Sequence, residues 1–360
     1  MKDLFERMNV WLCGRVDDSL SRRAGESERR GFFSPTPRRP DSPTPKKRPY
    51  VHTSILPYLL PALLATVFLA ACDSTDAGEF ETEYVVEGYL IAGEPFQPIR
   101  LSRTTETNQR YDFTALAIRD AAVRVDLLGD DGNVEASYAF REAPDSLGVY
   151  FPEDATLLVK PLGTYRLEVT VPSTNDVITA TTVVPDTFRL VDATLTEAVY
   201  QSTEQLELTV TRSRSPGRDQ NYYIFVTESL DPREEQLTPF AKAVFEQEDD
   251  EFNDERLDDL RVNGSPILNE DNYDVNPDGT LTIRYPWIAI AFFGPNRLIA
   301  NALDDNLYDF IRSQSVQQGG STFAPGEIPN PLERVNGAHG VFGSYARVSF
   351  ELFVIRPEGF

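Results

Sequence analysis

The 360-residue sequence predicts an all-β protein made of two antiparallel β-sandwich domains. From residue 84 onward, short runs of alternating apolar and polar residues recur about every 8–12 residues, with Gly, Asp and Pro between them, a rhythm typical of such sandwiches. Apolar residues make up 41% of the chain and aromatic residues 11%, which is enough to fill packed cores. Two cysteines in the whole chain exclude a disulfide framework, so packing must hold the sheets together.

The first 50 residues differ in composition from the rest of the chain. They contain 12 basic and 7 acidic residues, and six prolines are concentrated between Pro35 and Pro49. Such a segment cannot bury enough apolar surface to offset the entropy lost on ordering, so residues 1–50 are predicted to be a disordered leader. A leader of this length is abnormal before a signal peptide, so we expect translation to start downstream of Met1, at Met8 or at Val51.

Residues 51–71 are predicted to be a signal peptide. The basic residues 46–48 precede an uncharged run over 55–71 that contains Pro57 and Pro61. A transmembrane helix needs about 20 apolar residues and tolerates unpartnered prolines poorly. A basic segment, a short apolar run and small residues at its end are instead the three parts of a signal peptide.

The last four residues of this region, Leu69-Ala70-Ala71-Cys72, resemble the lipobox of bacterial lipoproteins. The resemblance implies that the Cys72 thiol receives a diacylglycerol, that the chain is cleaved before it, and that the new amino terminus is acylated. Several acyl chains, each contributing roughly 0.8 kcal/mol per buried methylene, anchor a protein stably to membrane lipid. The alternative is a plain secretory signal, or a membrane anchor, with an incidental cysteine. Residues 72–83 then form an acidic tether.

The chain from Cys72 onward is strongly acidic. It has 22 basic and 50 acidic residues, a net charge of −28, and its only lysines are Lys160 and Lys242. A surface of this sign repels phosphate backbones, which excludes nucleic-acid binding. Excess acid with little lysine also indicates adaptation to concentrated salt, where screening weakens self-repulsion. Ordinary acidity in a GC-rich genome, which favours arginine codons, is the alternative.

The first sandwich is assigned to residues 84–185. Its predicted strands lie at residues 84–91, 99–103, 122–128, 136–141, 148–151, 164–171 and 177–184. Residues 129–133, Gly-Asp-Asp-Gly-Asn, predict a hairpin turn. The arrangement is immunoglobulin-like or transthyretin-like, without the disulfide of antibody domains because Cys72 is the only cysteine of the chain after the leader.

The second domain is assigned to residues 186–360. Predicted strands lie at 188–195, 205–211, 221–228, 280–285, 287–293 and 345–355, and strand aromatics such as Tyr222 and Phe225 are assigned to packing. An acidic insertion at about 231–275 interrupts the pattern. Asp304 or Asp305 is positioned to cap a short helix that continues to about Gln317.

Three stretches resemble a family of Bacteroidota-type outer-membrane lipoproteins, domain of unknown function family 4249. They are VVEGYLIAGEPFQPIRLSR; AAVRVDLLGDDGN followed by GVYF and LGTYRLEVTVP; and NLYDFIRSQ followed by NPLERVNGAHGVFGSYARVSF. The resemblance implies an outer-membrane location, on the cell surface or the periplasmic face, and a gene often found beside a TonB-dependent transporter. It implies no reaction, so no catalytic residue is assigned. The long leader and the acidic insertion depart from the family pattern.

One segment has the spacing of a calcium loop. Asp274, Asn276 and Asp278 alternate before Gly279, as in the first half of an EF-hand, but Tyr285 stands where the bidentate glutamate is required. Asn-Pro-Asp-Gly is also a strong turn sequence. We therefore predict a turn and no cofactor, with calcium as the alternative.

These features favour a binding protein over an enzyme. His339 is the only histidine after Cys72, and its glycine-rich surroundings indicate a turn before the last strand. We expect a lipid-anchored accessory or ligand-binding protein that works with a TonB-dependent transporter in nutrient capture. The alternatives are a surface hydrolase with unidentified carboxylates, and an adhesin or envelope scaffold.

Overall fold

The computed structural model describes residues 80–106, 109–193, 195–204, 206–246, 253–273, 275–315 and 334–359. The predicted leader, the signal peptide and Cys72 lie outside the described residues. The described residues from Thr82 onward belong to one compact unit.

The amino-terminal half consists of short strands and one short helix. In chain order they are β1 Tyr84–Ile91, β2 Ile99–Arg103, α1 Phe113–Leu116, β3 Ala122–Leu128, β4 Val134–Ala143, β5 Ser146–Pro152, β6 Thr164–Val171 and β7 Asp176–Val183. Every strand predicted for this half is present, and the predicted hairpin joins β3 to β4.

Strand β6 illustrates why the alternating pattern predicts these strands. Tyr165, Leu167 and Val169 are fully buried, whereas the residues between them are half-buried. Since successive side chains of a strand point to opposite faces, one face of β6 packs in the core while β3 and β7 pair with its edges. Each such buried side chain contributes roughly 1.5–3 kcal/mol.

The carboxy-terminal half adds ten strands and three helices to the described part of the chain. They are β8 Leu190–Ala193, β9 Glu197–Val199, β10 Leu206–Val210, β11 Tyr222–Ser229, α2 Pro239–Glu246, α3 Asn253–Arg261, β12 Val262–Gly264, β13 Leu268–Asn269, β14 Leu281–Tyr285, β15 Gly294–Leu303, α4 Asp305–Ser315, β16 Val335–Asn336 and β17 His339–Ile355. Helices α2 and α3 lie in the predicted acidic insertion, where Phe245 of α2 belongs to the same buried hydrophobic cluster as Phe292.

The strands form two sheets, so the all-β, sandwich-like class is confirmed. A 14-stranded sheet runs in the order β12-β11-β15-β17-β1-β2-β5-β4-β3-β6-β7-β16, with β13 beside β11 and β9 beside β17, and a second sheet runs β14-β10-β8. The pairing is antiparallel as predicted, except that β1 and β9 each pair with β17 in parallel. The immunoglobulin-like or transthyretin-like topology stays a prediction.

Strand β17 belongs to both halves. Residues 339–345 pair with residues 85–91 of β1, and residues 345–354 pair with β15. The largest hydrophobic cluster also contains residues of both halves, including Val86 and Leu298. The division into domains at residue 185 stays a prediction, and the sheet is continuous across it.

Two glycines allow β17 to approach its neighbours closely. Gly340 has φ +103°, and a Cβ atom there would lie 2.1 Å from the carbonyl oxygen of Val86 on β1. At Gly343, a Cβ atom would lie 2.6 Å from Cγ of Leu307 on α4. Any larger side chain at either position would push β17 away from β1 or from α4.

The helix predicted after Asp304 or Asp305 is confirmed as α4, and Asp304 caps it. The Asp304 carboxylate accepts a hydrogen bond from the backbone N–H of Leu307 at 2.8 Å and another from the Thr182 hydroxyl on β7. The Thr182 and Ser344 hydroxyl oxygens are 2.7 Å apart, which connects the cap to β17. Burial raises the pKa of Asp304 to about 6, although these hydrogen bonds oppose the shift.

The prediction of a strand at residues 287–293 is wrong. Residues Trp287–Ala289 form a 3-10 helix, and the strand of this region is β15, immediately afterwards. The segment is apolar at every position and therefore lacks the alternation that identifies a half-buried strand. Its residues Ile290, Phe292 and Phe293 fill the core instead.

Candidate functional site

An open cleft of about 710 Å³ lies beside the loop that connects β10 to β11. Three of its lining residues are arginines, so we call it the arginine cleft. The lining residues are Leu162, Thr211, Arg212, Ser213, Arg214, Ser215, Pro216, Arg218, Asp219, Asn221, Asp278, Gly279 and Thr280. Leu162 comes from the amino-terminal half and the remainder from the carboxy-terminal half. Junctions of this kind are common places for ligand sites.

A tight turn shapes the loop. The backbone N–H of Arg218 donates to the carbonyl of Ser215 at 3.2 Å, with Pro216 and Gly217 at the two central positions. Proline sets the first of these positions, and Gly217, with φ +80°, provides the positive φ that a type II turn requires at the second. The Pro-Gly pair therefore places Ser215 and Arg218 at the two ends of one turn.

The buried carboxylate of Glu270 fixes the base of the cleft. It accepts hydrogen bonds from the backbone N–H of Asn221 at 3.0 Å, from Asn221 Nδ2 at 2.8 Å and from Arg212 Nε. Asn221 Nδ2 also donates to the carbonyl of Ser213 at 3.0 Å. Because both partners of this nitrogen are acceptors, the orientation of the amide is determined, and Oδ1 is the atom left over.

Arg218 is held just as firmly. Its Nε lies 3.1 Å from Asp305 Oδ1, its Nη2 donates to the carbonyl of Leu303 at 2.5 Å, and its guanidinium stacks over the Tyr222 ring. The remaining nitrogen, Nη1, is buried. Two of the three guanidinium nitrogens thus fix the group, while the third has no partner in the described part of the chain.

Three atoms of lining residues are buried without a hydrogen-bond partner among the described residues: Ser215 Oγ, Arg218 Nη1 and Asn221 Oδ1. Ser215 is 9% exposed and Asn221 is 6% exposed. Native proteins pair nearly all such atoms, because leaving one unpaired costs about 1–3 kcal/mol. Each of these atoms is enclosed by the protein, so the polar groups behind the cleft surface are fixed and desolvated.

Both signs of charge line the arginine cleft. Glu270 neutralises Arg212 and raises the pKa of its guanidinium through their hydrogen bond, and Asp305 neutralises Arg218. Arg214 is exposed and has no ion-pair partner among the described residues. Asp219 and Asp278 add negative charge nearby.

Other described clefts are less distinctive. A cleft of about 620 Å³ is lined by Arg166, Thr181 and Asn306, and it contains one unpartnered buried atom, Arg166 Nε. A third cleft, of about 420 Å³, lies beside Tyr150. Neither has the set of fixed and unpartnered groups found in the arginine cleft.

The site residues predicted from the sequence lie elsewhere or serve the turn. Cys72 and Asp274 are outside the described residues. Asp278 Oδ1 accepts from the backbone N–H of Thr280 at 3.0 Å and from its hydroxyl at 2.7 Å, which lowers the pKa of Asp278. Asn276 Nδ2 donates to the Thr280 hydroxyl at 2.9 Å. These contacts build the predicted turn before β14.

No group of three or more His, Cys, Asp or Glu side chains in the described part of the chain is arranged to hold a metal ion. His339 is partly exposed and contacts the Glu83 carboxylate, away from the arginine cleft. None of the described helices combines the length and apolar character needed to cross a membrane.

The arginine cleft is not among the sites predicted from the sequence, although the sequence contains a signal for it. Arg212, Arg214 and Arg218 fall within seven residues of a chain that is otherwise strongly acidic. A local basic run of this kind, next to a Pro-Gly turn, marks the loop as unusual. The contribution of Glu270 has no such signal, because it depends on contact between distant segments.

The family comparison matches residues 72–351 to the domain of unknown function DUF4249. The chain belongs to this family. The match begins at Cys72 and covers both halves of the described structure. No curated protein matches this DUF4249 chain at a significant level.

Solved structures resemble this DUF4249 protein only distantly. Salmonella α2-macroglobulin reacted with methylamine is 11% identical, with 76% of this chain and 15% of that chain covered and a TM-score of 0.21. Escherichia coli α2-macroglobulin activated by porcine elastase is 10% identical, with 76% and 20% covered and a TM-score of 0.20. Three amino-terminal domains of the bacteriophage RB49 outer capsid protein Hoc are 10% identical, with 77% and 71% covered and a TM-score of 0.19. The chain spans a fifth or less of the length of these macroglobulins.

Proposed function

We propose that this protein is a lipid-anchored, non-catalytic ligand-binding protein of the outer membrane that works with a TonB-dependent transporter in nutrient capture. The observation that carries the binding role is the arginine cleft, where Arg212 and Arg218 are held in place beside the exposed Arg214. Side chains that are already fixed in an open cleft can orient a ligand without first having to be ordered.

The anchor and the location are proposed on separate grounds. The lipobox-like residues 69–72 support acylation of Cys72, and the start of the family match at Cys72 agrees with cleavage there. The transporter partnership comes from the family resemblance. A lipid anchor also makes the net charge of −28 compatible with a membrane location, since attachment does not depend on basic residues.

The anchor is tested by substituting Cys72 with Ala and separating membrane from soluble fractions. We expect the Cys72→Ala protein to leave the membrane fraction, because it lacks the thiol that receives the lipid. Ser74→Ala is the matched control, since it changes a small residue of the same tether and keeps Cys72, and we expect it to stay with the membrane. Retention of the Cys72→Ala protein in the membrane would contradict the lipoprotein assignment.

The partnership is tested by purifying the acylated protein from membranes in mild detergent. Recovery of a TonB-dependent barrel with the protein would support the proposal. Repeated absence of a barrel, together with hydrolytic activity in the same preparation, would favour the surface-hydrolase alternative.

A further inference from the structure

One edge of β17 is covered by strands at its two ends but not in its middle. Residues 339–345 pair with β1 and residues 353–355 pair with β9, both in parallel. The opposite edge of β17 pairs with β15 without a break from residue 345 to residue 354. Within the described part of the chain, no strand pairs with residues 346–352 on the first edge. We call this stretch the β17 gap.

The backbone groups that face the β17 gap belong to odd-numbered residues. The N–H of Phe353 donates to the carbonyl of Thr196, just before β9. The N–H and C=O of one residue point to the same edge of a strand, and successive residues alternate between the two edges. Since the register with β15 contains no bulge here, the N–H and C=O groups of residues 347, 349 and 351 point into the gap.

Solvent reaches β17 in this stretch. The even-numbered side chains face the largest hydrophobic cluster, and Ala346 and Leu352 are 1% and 2% exposed. Val348 and Phe350, at the centre of the gap, pack against the same cluster but are partly exposed. Ser349, between them, is exposed. The strand is therefore accessible where its edge has no partner.

An accessible strand edge is a template for one more strand. Its N–H and C=O groups provide affinity for any extended backbone, and the side chains on either side provide specificity. The chain itself adds β1 and β9 to this edge, one at each end of the gap. At about 3.3 Å per residue the gap spans roughly 23 Å, which an extended segment of about seven residues fills.

The two faces of the gap differ in character. On the inner face an added strand lies beside Val348 and Phe350, which favours apolar side chains. On the outer face it lies beside Glu351, whose side chain is 68% exposed, and beside the exposed Glu197 of β9. Because side chains of a strand alternate between faces, the fitting segment alternates apolar and basic residues.

The charges around the gap favour a basic segment. Arg347 is already neutralised by Glu94, with Nη2 and Oε2 2.6 Å apart. Arg297, which pairs with Glu351 at 3.0 Å, belongs to β15 on the side away from the gap. The net charge of −28 attracts a basic partner over longer distances. A second copy of the chain would instead bring two equally acidic surfaces together.

We propose that the β17 gap binds an extended peptide segment of a partner protein, in which apolar and basic residues alternate, as an added strand between β1 and β9. The apolar side chains lie beside Val348 and Phe350, and the basic side chains lie beside Glu351 and Glu197. None of these residues lines the arginine cleft, so the inference goes beyond the proposed function and stands whether or not that cleft binds a ligand.

The first test is isothermal titration of the full-length acylated protein in detergent with an end-capped heptapeptide of alternating lysine and valine. The matched control peptide has the same side chains and charge, but every backbone N–H is methylated. We expect the control to bind at least about tenfold more weakly, because it cannot donate to the edge of β17. A heptapeptide with glutamate in place of lysine is expected to bind more weakly than the lysine peptide.

A variant assigns the binding to the gap. Ser349→Pro removes an N–H that points into the gap, whereas the bonds to β15 come from the even-numbered residues. Proline is tolerated where its missing N–H faces away from a paired strand. We expect Ser349→Pro to weaken binding of the lysine peptide by at least about tenfold. Ser349→Ala is the matched control; it keeps the N–H and should bind as the wild type does.

Hydrogen exchange tests the same edge without a variant. The amides of residues 347, 349 and 351 should exchange rapidly in the free protein and become protected when the lysine peptide is bound. Protection of these amides in the free monomer would overturn the inference, because another segment of the chain would then cover the edge. A dimer in sedimentation that Ser349→Pro dissociates would also overturn it, and the occupant would be a second copy.

Three titration results would likewise overturn the inference: equal affinity for the lysine peptide and its methylated form, tighter binding of the glutamate peptide, or equal affinity of wild type and a folded Ser349→Pro. If the lysine peptide fails to bind while a transporter still co-purifies, this inference alone is wrong. If it binds as expected while no transporter co-purifies, the inference stands and the transporter partnership fails.

Discussion

Asp304 is a buried acid that serves three structural elements at once. Its carboxylate caps α4 and accepts a hydrogen bond from the Thr182 hydroxyl on β7. The Thr182 hydroxyl is in turn hydrogen-bonded to the Ser344 hydroxyl on β17. Desolvation disfavours the charged form, and burial therefore raises the pKa from the ordinary 3.8 to about 6. The residue that organises the helix start is thus also a source of pH-dependent stability.

We predict that this residue makes the protein less stable as pH rises from about pH 4 to about pH 6. The folded state keeps the Asp304 proton over that interval while the unfolded state has lost it, so the free energy of unfolding falls and then levels off. Urea unfolding measures the free energy of unfolding of the wild type and of Asp304→Asn at each pH. The wild-type free energy minus that of the variant should drop by on the order of 3 kcal/mol between about pH 4 and pH 7. Burial also raises the pKa of Glu87, to about 7, but that contribution is present in both proteins and cancels.

Asp131→Asn is the control of opposite sign. The backbone and side-chain N–H groups of Asn133 lower the pKa of the exposed Asp131, so its stabilising effect should be lost as pH falls. If the difference in free energy of unfolding between the wild type and Asp304→Asn stays constant or rises with pH, the assignment of a raised pKa to Asp304 is contradicted.

Residue-scale prediction from the sequence succeeded where the chemistry was local. The cap at Asp304 and the turn containing Asp278 depend on neighbours within four positions, and both were predicted. The arginine cleft depends on Glu270, which lies 49 positions from Asn221 along the chain. A single sequence contains no information on such contacts, so the cleft could be found only from the structure.

At the scale of elements, strand β17 depends on the backbone at Gly340. This glycine combines a positive φ with a position where a Cβ atom would lie 2.1 Å from the Val86 carbonyl oxygen. Gly132, in the β3–β4 hairpin, has φ +77° but no atom within 4 Å of a Cβ. The two positions therefore separate backbone strain from steric conflict.

We predict that Gly340→Ala lowers the free energy of unfolding by more than about 3 kcal/mol, because it adds a clash with β1 to the cost of a positive φ. Gly132→Ala should cost only about 1 kcal/mol, the strain alone. Chemical denaturation of both variants measures the contrast. Equal losses would show that the contact between β17 and β1 does not depend on this glycine.

Element prediction failed for one reason that can be identified. Strand β15 begins with Gly294 and Pro295, which resemble a turn, and the apolar run before it looked like the strand. Continuous apolar runs do not distinguish a buried strand from other buried backbone. Strands with clear alternation, such as β3 and β6, were placed correctly because one face is buried and the other is not.

At the scale of the whole molecule, the dominant property is the charge of −28 from Cys72 onward. Individual exposed ion pairs such as Arg141–Glu153 are worth about 0–1 kcal/mol each and weaken in salt. Self-repulsion among 50 acidic residues acts over longer distances and is relieved by salt. Because acidic residues outnumber basic ones so strongly, the relief of self-repulsion by salt should outweigh the weakening of ion pairs.

We therefore predict that the Tm rises by on the order of 5 °C when KCl is raised from about 0.1 M to about 1 M. Differential scanning calorimetry measures the change, and KCl is used because sulfate would add exclusion from the surface. A Tm that stays constant or falls would argue against adaptation to concentrated salt and in favour of ordinary acidity.

The parallel pairing of β1 with β17 also affects when the molecule can fold. Glu83 and His339, which are in contact where these strands begin, are 256 positions apart in the chain. Contacts of such high sequence separation form late, because the loop-closure entropy has to be overcome first. The edge of β1 that pairs with β17 therefore stays unpaired until nearly the whole polypeptide has been synthesised. During that time an exposed strand edge is open to pairing with other chains, which makes aggregation of the incomplete chain the characteristic hazard of this topology.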